Sequence, residues 1–566
     1  MCGIAGCIGT EDIKIVTRML DALPHRGPND RGIHVYGNTV FGHTRLSIVD
    51  VALGHQPILA NGGSQGIICN GEVYNFREIR EKLAGKYAFK TQSDTEVILK
   101  LYKEKGPACV EDLDGMFAFA LFDGDDFMMA RDPIGIKPLY YGRENGSLYF
   151  TSELGAMTLA GVDEVHEFPA GHYYTPKEGF VQYYQVPEIQ DHLLTDISET
   201  SRLIRETFIQ AVKKRLLADP EVPVGSFCSG GLDSSMVAAI AAEEIPHLHT
   251  FVVGMEDESG DVSDDIKAAR IAADHIGSTH HELLFTEEEY NAALPIVIRK
   301  LESYDPSLVR CAVPCYFTCK LAADHVTVVL TGEGADELFA GYHYMKHFPF
   351  DKLNMEARRC IGNLHNINLQ RADRMGMYFS LELRVPFLDE AMVDLSMKIP
   401  PELKIREHNG AKIEKWIFRK AFEDTGYLPE EILWRYKVQY TQGAGCESLG
   451  EKLAHQEMSE EEFEQIKEEN PKATINSREA AYYFKIFREF HPQDSILGSI
   501  GIWTGFDFAE EREHVKGTVD GELKHAYKEE DAEAKRPEDA SVGVPLFRPC
   551  AIRRRGRSSV RVPEKI

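Results

Sequence analysis

Phe227-Cys228-Ser229-Gly230-Gly231-Leu232-Asp233-Ser234-Ser235 is the stretch whose reading decides the fold. A short apolar run from Val222 to Phe227 leads into it, and small apolar residues from Met236 to Ala242 lead out, so it reads as strand, glycine turn, helix. Two glycines let the backbone close on a bulky anion, and the first amides of the helix are unpaired and sit at the positive end of its dipole. The hydroxyls of Ser229, Ser234 and Ser235 add donors. A kinase-type loop requires a Lys in the turn. There is none here, so the expected departing group is pyrophosphate rather than a transferred γ-phosphate, with Asp233 supplying a carboxylate for the accompanying Mg²⁺.

Working outward, the 566 residues exceed what one core supports, and two large domains with a tail are expected. Lys and Arg number 63 against 90 Asp and Glu, a net charge of −27, which argues against a nucleic-acid or anionic-membrane partner for the body of the chain. No apolar run approaches the roughly 20 residues of a membrane span, and the opening Met-Cys-Gly-Ile-Ala-Gly lacks the order of a secretory signal. Eleven sparse cysteines fit a reducing compartment, and a cytoplasmic protein is expected. Cys311, Cys315 and Cys319 share a helical face, but the outer two stand roughly 12 Å apart along the axis, so they read as core cysteines and not as one metal site. His343 and His347 lack the Glu of a zinc-protease helix and read as ordinary residues.

In the first third, short apolar runs such as Thr39-Val40-Phe41-Gly42, Gly66-Ile67-Ile68-Cys69 and Met116 to Phe122 alternate with turns at Asn61-Gly62-Gly63, Asp123-Gly124-Asp125 and Asn145-Gly146. This predicts antiparallel sheets packed face to face, with three helices outside at 13–23, 75–83 and 94–105. Once Met1 is removed, Cys2 carries thiol and α-amine on one skeleton, and the amine is able to act as base for its own side chain. From residue 198 the pattern changes to strands at 249–253, 281–285 and 326–330 alternating with helices at 198–217 and 263–276. That alternation predicts a parallel sheet with helices on both faces and ligands at the carboxyl ends of its strands. The last strand enters Thr331-Gly332-Glu333-Gly334-Ala335-Asp336-Glu337, where three acids among glycines suit a magnesium site and a general acid or base.

His25-Arg26-Gly27-Pro28, Gly42 to Asp50, Cys69-Asn70-Gly71-Glu72 and Ser93-Asp94-Thr95-Glu96, with the opening Cys2, resemble the glutaminase domain of N-terminal-nucleophile amidotransferases. The synthetase motifs, with Glu382 to Asp389 and Trp434-Arg435-Tyr436-Lys437-Val438-Gln439, resemble the glutamine-hydrolysing asparagine synthetase family. The resemblance implies an N-terminal αββα sandwich over 1–190, a synthetase domain over 195–510, and a charged tail over 511–566 expected to be disordered.

It further implies Cys2 as nucleophile and Asn70 with Gly71 as oxyanion hole. Arg45, Leu46, Ile48 and Val49 would line the glutamine pocket, with Arg45 on the α-carboxylate and Glu72 and Asp94 on the α-amine. Ser229 to Ser235 would hold phosphates, while Leu232, Val253, Gly254, Thr331 and Gly332 would lie along the nucleotide. Asp233 and Asp336 would hold Mg²⁺, Glu333 would take the proton from incoming ammonia, Lys437 would offset phosphate charge, and Arg384 would help position the acid substrate. The implied substrates are aspartate, glutamine and ATP, the implied assembly a homodimer, and the implied reaction asparagine synthesis through an acyl-adenylate. Amidation of another small carboxylic acid is the alternative. Asn29 departs from the Asp that follows Arg-Gly-Pro in many relatives, leaving open whether Asp30 takes over its part.

Overall fold

The computed structural model describes residues 2–188, 194–256 and 260–503. The tail beyond residue 510 and its arginine run, Arg553-Arg554-Arg555, therefore lie outside the described residues, as does the end of the synthetase domain placed at 510.

Twelve strands build the first domain: β1 Gly3–Ile8, β2 Asp30–Tyr36, β3 Thr39–Arg45, β4 Ile58–Ala60, β5 Gln65–Val73, β6 Gly115–Asp123, β7 Asp126–Arg131, β8 Tyr140–Glu144, β9 Ser147–Thr151, β10 Val165–Glu167, β11 His172–Thr175 and β12 Gly179–Gln182. They form two six-stranded sheets in the orders β10-β8-β9-β1-β3-β2 and β12-β11-β7-β6-β5-β4, antiparallel in every pairing. Period-2 alternation sorts the side chains. Ile68, Ala118, Ala120 and Phe122 point between the sheets to meet Phe41 and Phe150, and Ile67, Cys69, Phe117, Phe119 and Leu121 point outward under helices α2 (Phe76–Leu83) and α3 (Thr95–Lys105). The alanines leave room for the Phe rings, and Phe41 meets Phe122 and Phe150 edge to face at 5.3 and 5.4 Å.

Helix α1 (Ile13–Asp21) covers the other outer face beside a fourth helix, α4 (Leu154–Ala160), which the sequence reading missed because its seven residues span barely two turns and carry little periodicity. The result is the expected αββα sandwich. Val16, Leu20, Leu154 and Met157 belong to the same buried cluster as Leu294, Val309 and Val313 of the second domain, so the two halves share apolar core.

The second domain holds one parallel sheet: β13 Val224–Phe227, β14 His249–Gly254, β15 Thr279–Leu284, β16 Val328–Leu330 and β17 Glu382–Arg384, in the order β15-β14-β13-β16-β17. Helices α5 (Ile197–Lys214), α6 (Leu232–Glu244) and α7 (Asp264–Ile276) lie on one side, and α8 (Glu287–Leu301), α9 (Pro306–Ala323) and α12 (Asn368–Tyr378) on the other; the intervening α10 (Ala335–Phe339) and α11 (Phe350–Asn363) lead from the acid loop to α12. Within β16 the alternation is explicit, since Val328 and Leu330 join the cluster of α6 while Val329 joins that of α9.

The strand order reverses at β13, whose neighbours β14 and β16 leave in opposite directions, and this switch point is where ligands bind in open parallel sheets. Both glycine loops emerge there. β15 begins two residues earlier than expected. The three-residue β17, ending in the ion pair of Glu382 and Arg384, escaped notice because so short a charged segment carries no strand pattern. Among the described residues all ten cysteines are free, and Cys315 and Cys319 are buried on α9 with sulfurs 4.0 Å apart.

Gly230 holds φ +71°, and a Cβ there would lie 2.3 Å from the backbone of Ala268 on α7. Replacing Gly230 by Ala is expected to cost at least ~1–2 kcal/mol from the left-handed backbone alone, with a further loss from the overlap, measured as a lowered urea midpoint with unchanged slope.

Candidate active sites

The first site forms where β1 begins beside β3 and β5. Cys2 is buried; its backbone N–H donates to Asn70 Oδ1 at 3.0 Å, its thiol points to the Leu46 carbonyl at 3.9 Å, and burial raises its pKa. The other end of the Asn70 amide, Nδ2, is buried and makes no hydrogen bond within the chain. An unused buried donor near Cys2 is what an oxyanion hole would require. Gly71 has φ +150°, and a Cβ would fall 2.0 Å from the Met116 carbonyl, so only Gly allows β5 to approach β6 here.

Arg45 is fixed by three loop carbonyls, of Val49, Asp50 and Val51, at 3.3, 2.6 and 3.1 Å. Ile48 is buried in the same loop. Glu72 and Asp94 are both buried, and Asp94 accepts from the Val73 amide at 2.8 Å. Burial, then the nearby Glu382 and Asp94 carboxylates, push the Glu72 pKa well up, and burial raises that of Asp94. Two desolvated carboxyls of this kind suit a positively charged group. Asn29 Oδ1 accepts from the Ser47 amide at 2.9 Å, while Asp30 pairs with His55 at 2.6 Å, so Asp30 does not substitute for its neighbour.

The second site lies at the switch point. Ser229 N–H donates to Ser234 Oγ at 3.1 Å, the two hydroxyls are 3.1 Å apart, and Gly231 N–H reaches Ser229 Oγ at 3.4 Å, which folds the turn around the start of α6. A Cβ on Gly332 would meet Asp233 Cβ and the Ser234 nitrogen at 2.9 Å, so this glycine lets the two loops touch. Leu232 and Val253 are buried beside them and Thr331 packs below. Gly254, at the end of β14, has no room for a side chain against Ser263. Ser235 is a correction: it is fully buried with its hydroxyl against Cys228 Sγ at 3.7 Å, turned into the core instead of toward a phosphate.

Asp233 and Asp336 come together across the two loops. Lys415 Nζ bridges them at 2.5 Å to each, and Lys437 Nζ adds contacts of 2.9 Å to Asp336 and 3.8 Å to Asp233. Burial alone would raise the Asp336 pKa, but the charges of Lys415 and then Lys437 hold it well below the usual carboxylate range. Asp233 Oδ1 is buried without a hydrogen-bond partner. Two converging carboxylates with an unused oxygen are a hard-cation donor set, so these residues fit Mg²⁺.

Glu333 pairs with Arg371 of α12. Glu337, the third acid of the loop, instead turns inward under Tyr342, whose hydroxyl donates to it at 2.5 Å. Arg384 requires the larger correction. Its guanidinium is fully buried, bonded to Glu382 at 2.6 Å and to the carbonyls of Arg215 and Leu217 at 2.7 and 2.6 Å, and faces Glu72 at 3.7 Å. It belongs to the seam with the glutaminase half and is committed there, not to an acid substrate.

Lys415, Arg371, Asp373 and the role of Arg26 were missed. Arg26 Nε donates to the Cys2 carbonyl at 3.0 Å while its terminal nitrogens clasp Asp373 of α12 at 2.7 and 3.1 Å. The His-Arg-Gly-Pro motif marked Arg26, but its partner lies 347 residues away.

Family models match both halves of the chain. A glutamine amidotransferase domain model matches residues 1–188, and an asparagine synthase model matches 203–358 and 350–485. A probable glutamine-hydrolysing asparagine synthetase of Dictyostelium discoideum is 37% identical over 545 residues, covering 89% of this chain and 96% of that protein. A probable enzyme of the same name from Schizosaccharomyces pombe is 39% identical over 533 residues, with 87% and 94% covered. Asparagine synthetase B of Escherichia coli is 37% identical over 522 residues, with 88% and 92% covered.

Burial, then the Asp336 charge, raise the Glu337 pKa to about 7 from an ordinary 4.5. The folded protein therefore keeps a proton that the unfolded chain releases, so stability falls as pH rises from about 4.5 to about 7. Glu337→Gln is expected to remove this loss: urea unfolding at pH 5 to 8 should show the variant gaining on wild type by up to about 3 kcal/mol across that window.

The chain belongs to the glutamine-hydrolysing asparagine synthetase family.

Proposed function

We propose that the protein makes L-asparagine from L-aspartate, ATP and L-glutamine, releasing AMP, pyrophosphate and L-glutamate. The observation that carries this reading is the meeting of Asp233 and Asp336 with Lys415 and Lys437 at the switch point, directly beside a lysine-free serine–glycine loop. We assign residues 1–190 to glutamine hydrolysis and 195–510 to the synthetase.

In the glutaminase half, Arg45 holds the glutamine α-carboxylate and Glu72 with Asp94 the α-amine. The thiol of Cys2 attacks the side-chain amide carbon, and the oxyanion forms against Asn70 Nδ2 and the Gly71 amide. Collapse of the tetrahedral species releases ammonia and leaves a thioester that water hydrolyses to glutamate.

In the synthetase half, the side-chain carboxylate of aspartate attacks the α-phosphorus of ATP. The bond to the β-phosphate oxygen breaks and pyrophosphate leaves into the Ser229–Ser234 loop, where Lys437 offsets its charge. Mg²⁺ held by Asp233 and Asp336 would supply further neutralisation of the triphosphate. Activation is needed because a carboxylate resists nucleophiles, while AMP is a good leaving group. Ammonia crossing the seam attacks the acyl carbon, AMP leaves with the acyl C–O bonding pair, and Glu333 accepts the ammonium proton once Arg371 yields the carboxylate. Confinement matters, because ammonia escaping to neutral water is protonated and loses its lone pair.

Mass-spectrometric product analysis with ATP, Mg²⁺, aspartate and amide-labelled glutamine tests the scheme. Wild type should give labelled asparagine with AMP and pyrophosphate. Cys2→Ala should lose the glutamine-dependent product by ~10³-fold or more and regain synthesis with ammonium. ADP in place of AMP would contradict the reading of the loop, and AMP without asparagine would mean a different acid.

A further inference from the structure

The amino ends of the parallel strands, opposite the glycine loops, carry a group that the proposed reaction does not use. His249 opens β14, His281 lies on β15, and His325 follows α9 just before β16. Phe251 of β14 stands in register with His281. Period-2 alternation then puts His249, Phe251 and His281 on one face of the sheet, the face on which Phe251 joins the buried cluster of α9. Three chain segments far apart in sequence thus deliver an imidazole to one point.

One ring nitrogen from each of the three lies within 4.8 Å of the other two. His249 Nδ1 and His281 Nε2 face each other at 2.8 Å, sharing a hydrogen bond. Two imidazole nitrogens on one tetrahedral zinc, each bonded at 2.0–2.1 Å, stand roughly 3.3 Å apart, so this pair needs to open by only about half an ångström. The His325 ring is stacked on His281, with centroids 3.9 Å apart and planes 27° from parallel. Stacked rings do not aim their lone pairs at one point, so binding requires His325 to swing. It is exposed and hence free to rotate toward the pair.

The surroundings favour the neutral, ligating form of imidazole. Burial, then the neighbouring His325, His249 and His280, push the His281 pKa down to about 4, and burial and His325 lower that of His249. His280 and Glu282 alternate with His281 and point to the other side of β15, where His280 bonds Thr250 at 2.9 Å and Glu282 pairs with Arg270 at 2.8 Å. The donor set is therefore all nitrogen, which selects zinc-like ions over the magnesium suited to Asp233 and Asp336.

We propose that His249, His281 and His325 form a three-imidazole site for a divalent transition ion of the zinc class, with a fourth position open to water. Such an ion ties the segment between α9 and β16 to β14 and β15. Without it, the three rings are an aromatic stack against Phe251.

The test is titration of the chelator-stripped full chain with Co²⁺, followed by its ligand-field absorption, and with Zn²⁺, followed by thermal unfolding, both in saturating Mg²⁺. One equivalent should bind to wild type and raise its melting temperature. His325→Ala, an exposed change that leaves the fold and the Mg²⁺-supported activity intact, and His281→Gln should each weaken binding by ~10-fold or more, the cost of losing even an outer partner of a ligand. Equal binding by wild type and both variants, or no saturable site in wild type, overturns the proposal.

Discussion

A buried guanidinium links the two candidate sites. Arg26 is completely enclosed, and its charge is met by Asp373 from the synthetase half and by Glu153 at 3.0 Å from the glutaminase half. Taking such a group out of water is costly, and removing one partner leaves a charge that costs about 3–5 kcal/mol. The same guanidinium holds the Cys2 carbonyl, so the position of Cys2 depends on a carboxylate of the other domain. Asp373 sits on α12 two residues from Arg371, which pairs with Glu333, and one from Arg374, which binds Glu302 at 2.9 Å. One helix thereby ties the positions of Cys2 and Glu333 to each other.

The second constraint is electrostatic. Asp233 and Asp336 are like charges brought within reach of a single ammonium, and Asp336 stays ionised because Lys415 and Lys437 are there. Each residue is supplied by a different loop, so the cluster forms only when β13, β16 and the segments around 415 and 437 are all in place. The glycines at 230 and 332 make this approach possible by removing the side chains that would separate the loops from α7 and from each other.

What could be read in the sequence was what is local. The strand–glycine–helix turn at 227–235, the alternation in β5 and β6, and the helices α1 to α3 each declare themselves within about ten residues. Motifs of the same short range marked Cys2 with Asn70 and Asp233 with Asp336 through the family resemblance, and each pair meets in the structure. Lys415, Asp373 and Arg371 stayed hidden because their meaning lies in partners 182, 347 and 38 residues away. Ser235 and Arg384 misled for a related reason. A motif gives a residue's neighbours in the chain, but not which way its side chain turns, and both turn into buried bonds.

The measurement that bears most directly on coupling through Arg26 and α12 is the ratio of glutamate to asparagine produced by Asp373→Asn, with wild type as reference and folding verified by circular dichroism. If the buried pair registers the two centres, the ratio rises several-fold above that of wild type as ammonia escapes, while synthesis from added ammonium is retained. A folded variant that still forms glutamate and asparagine in the wild-type ratio would contradict the account.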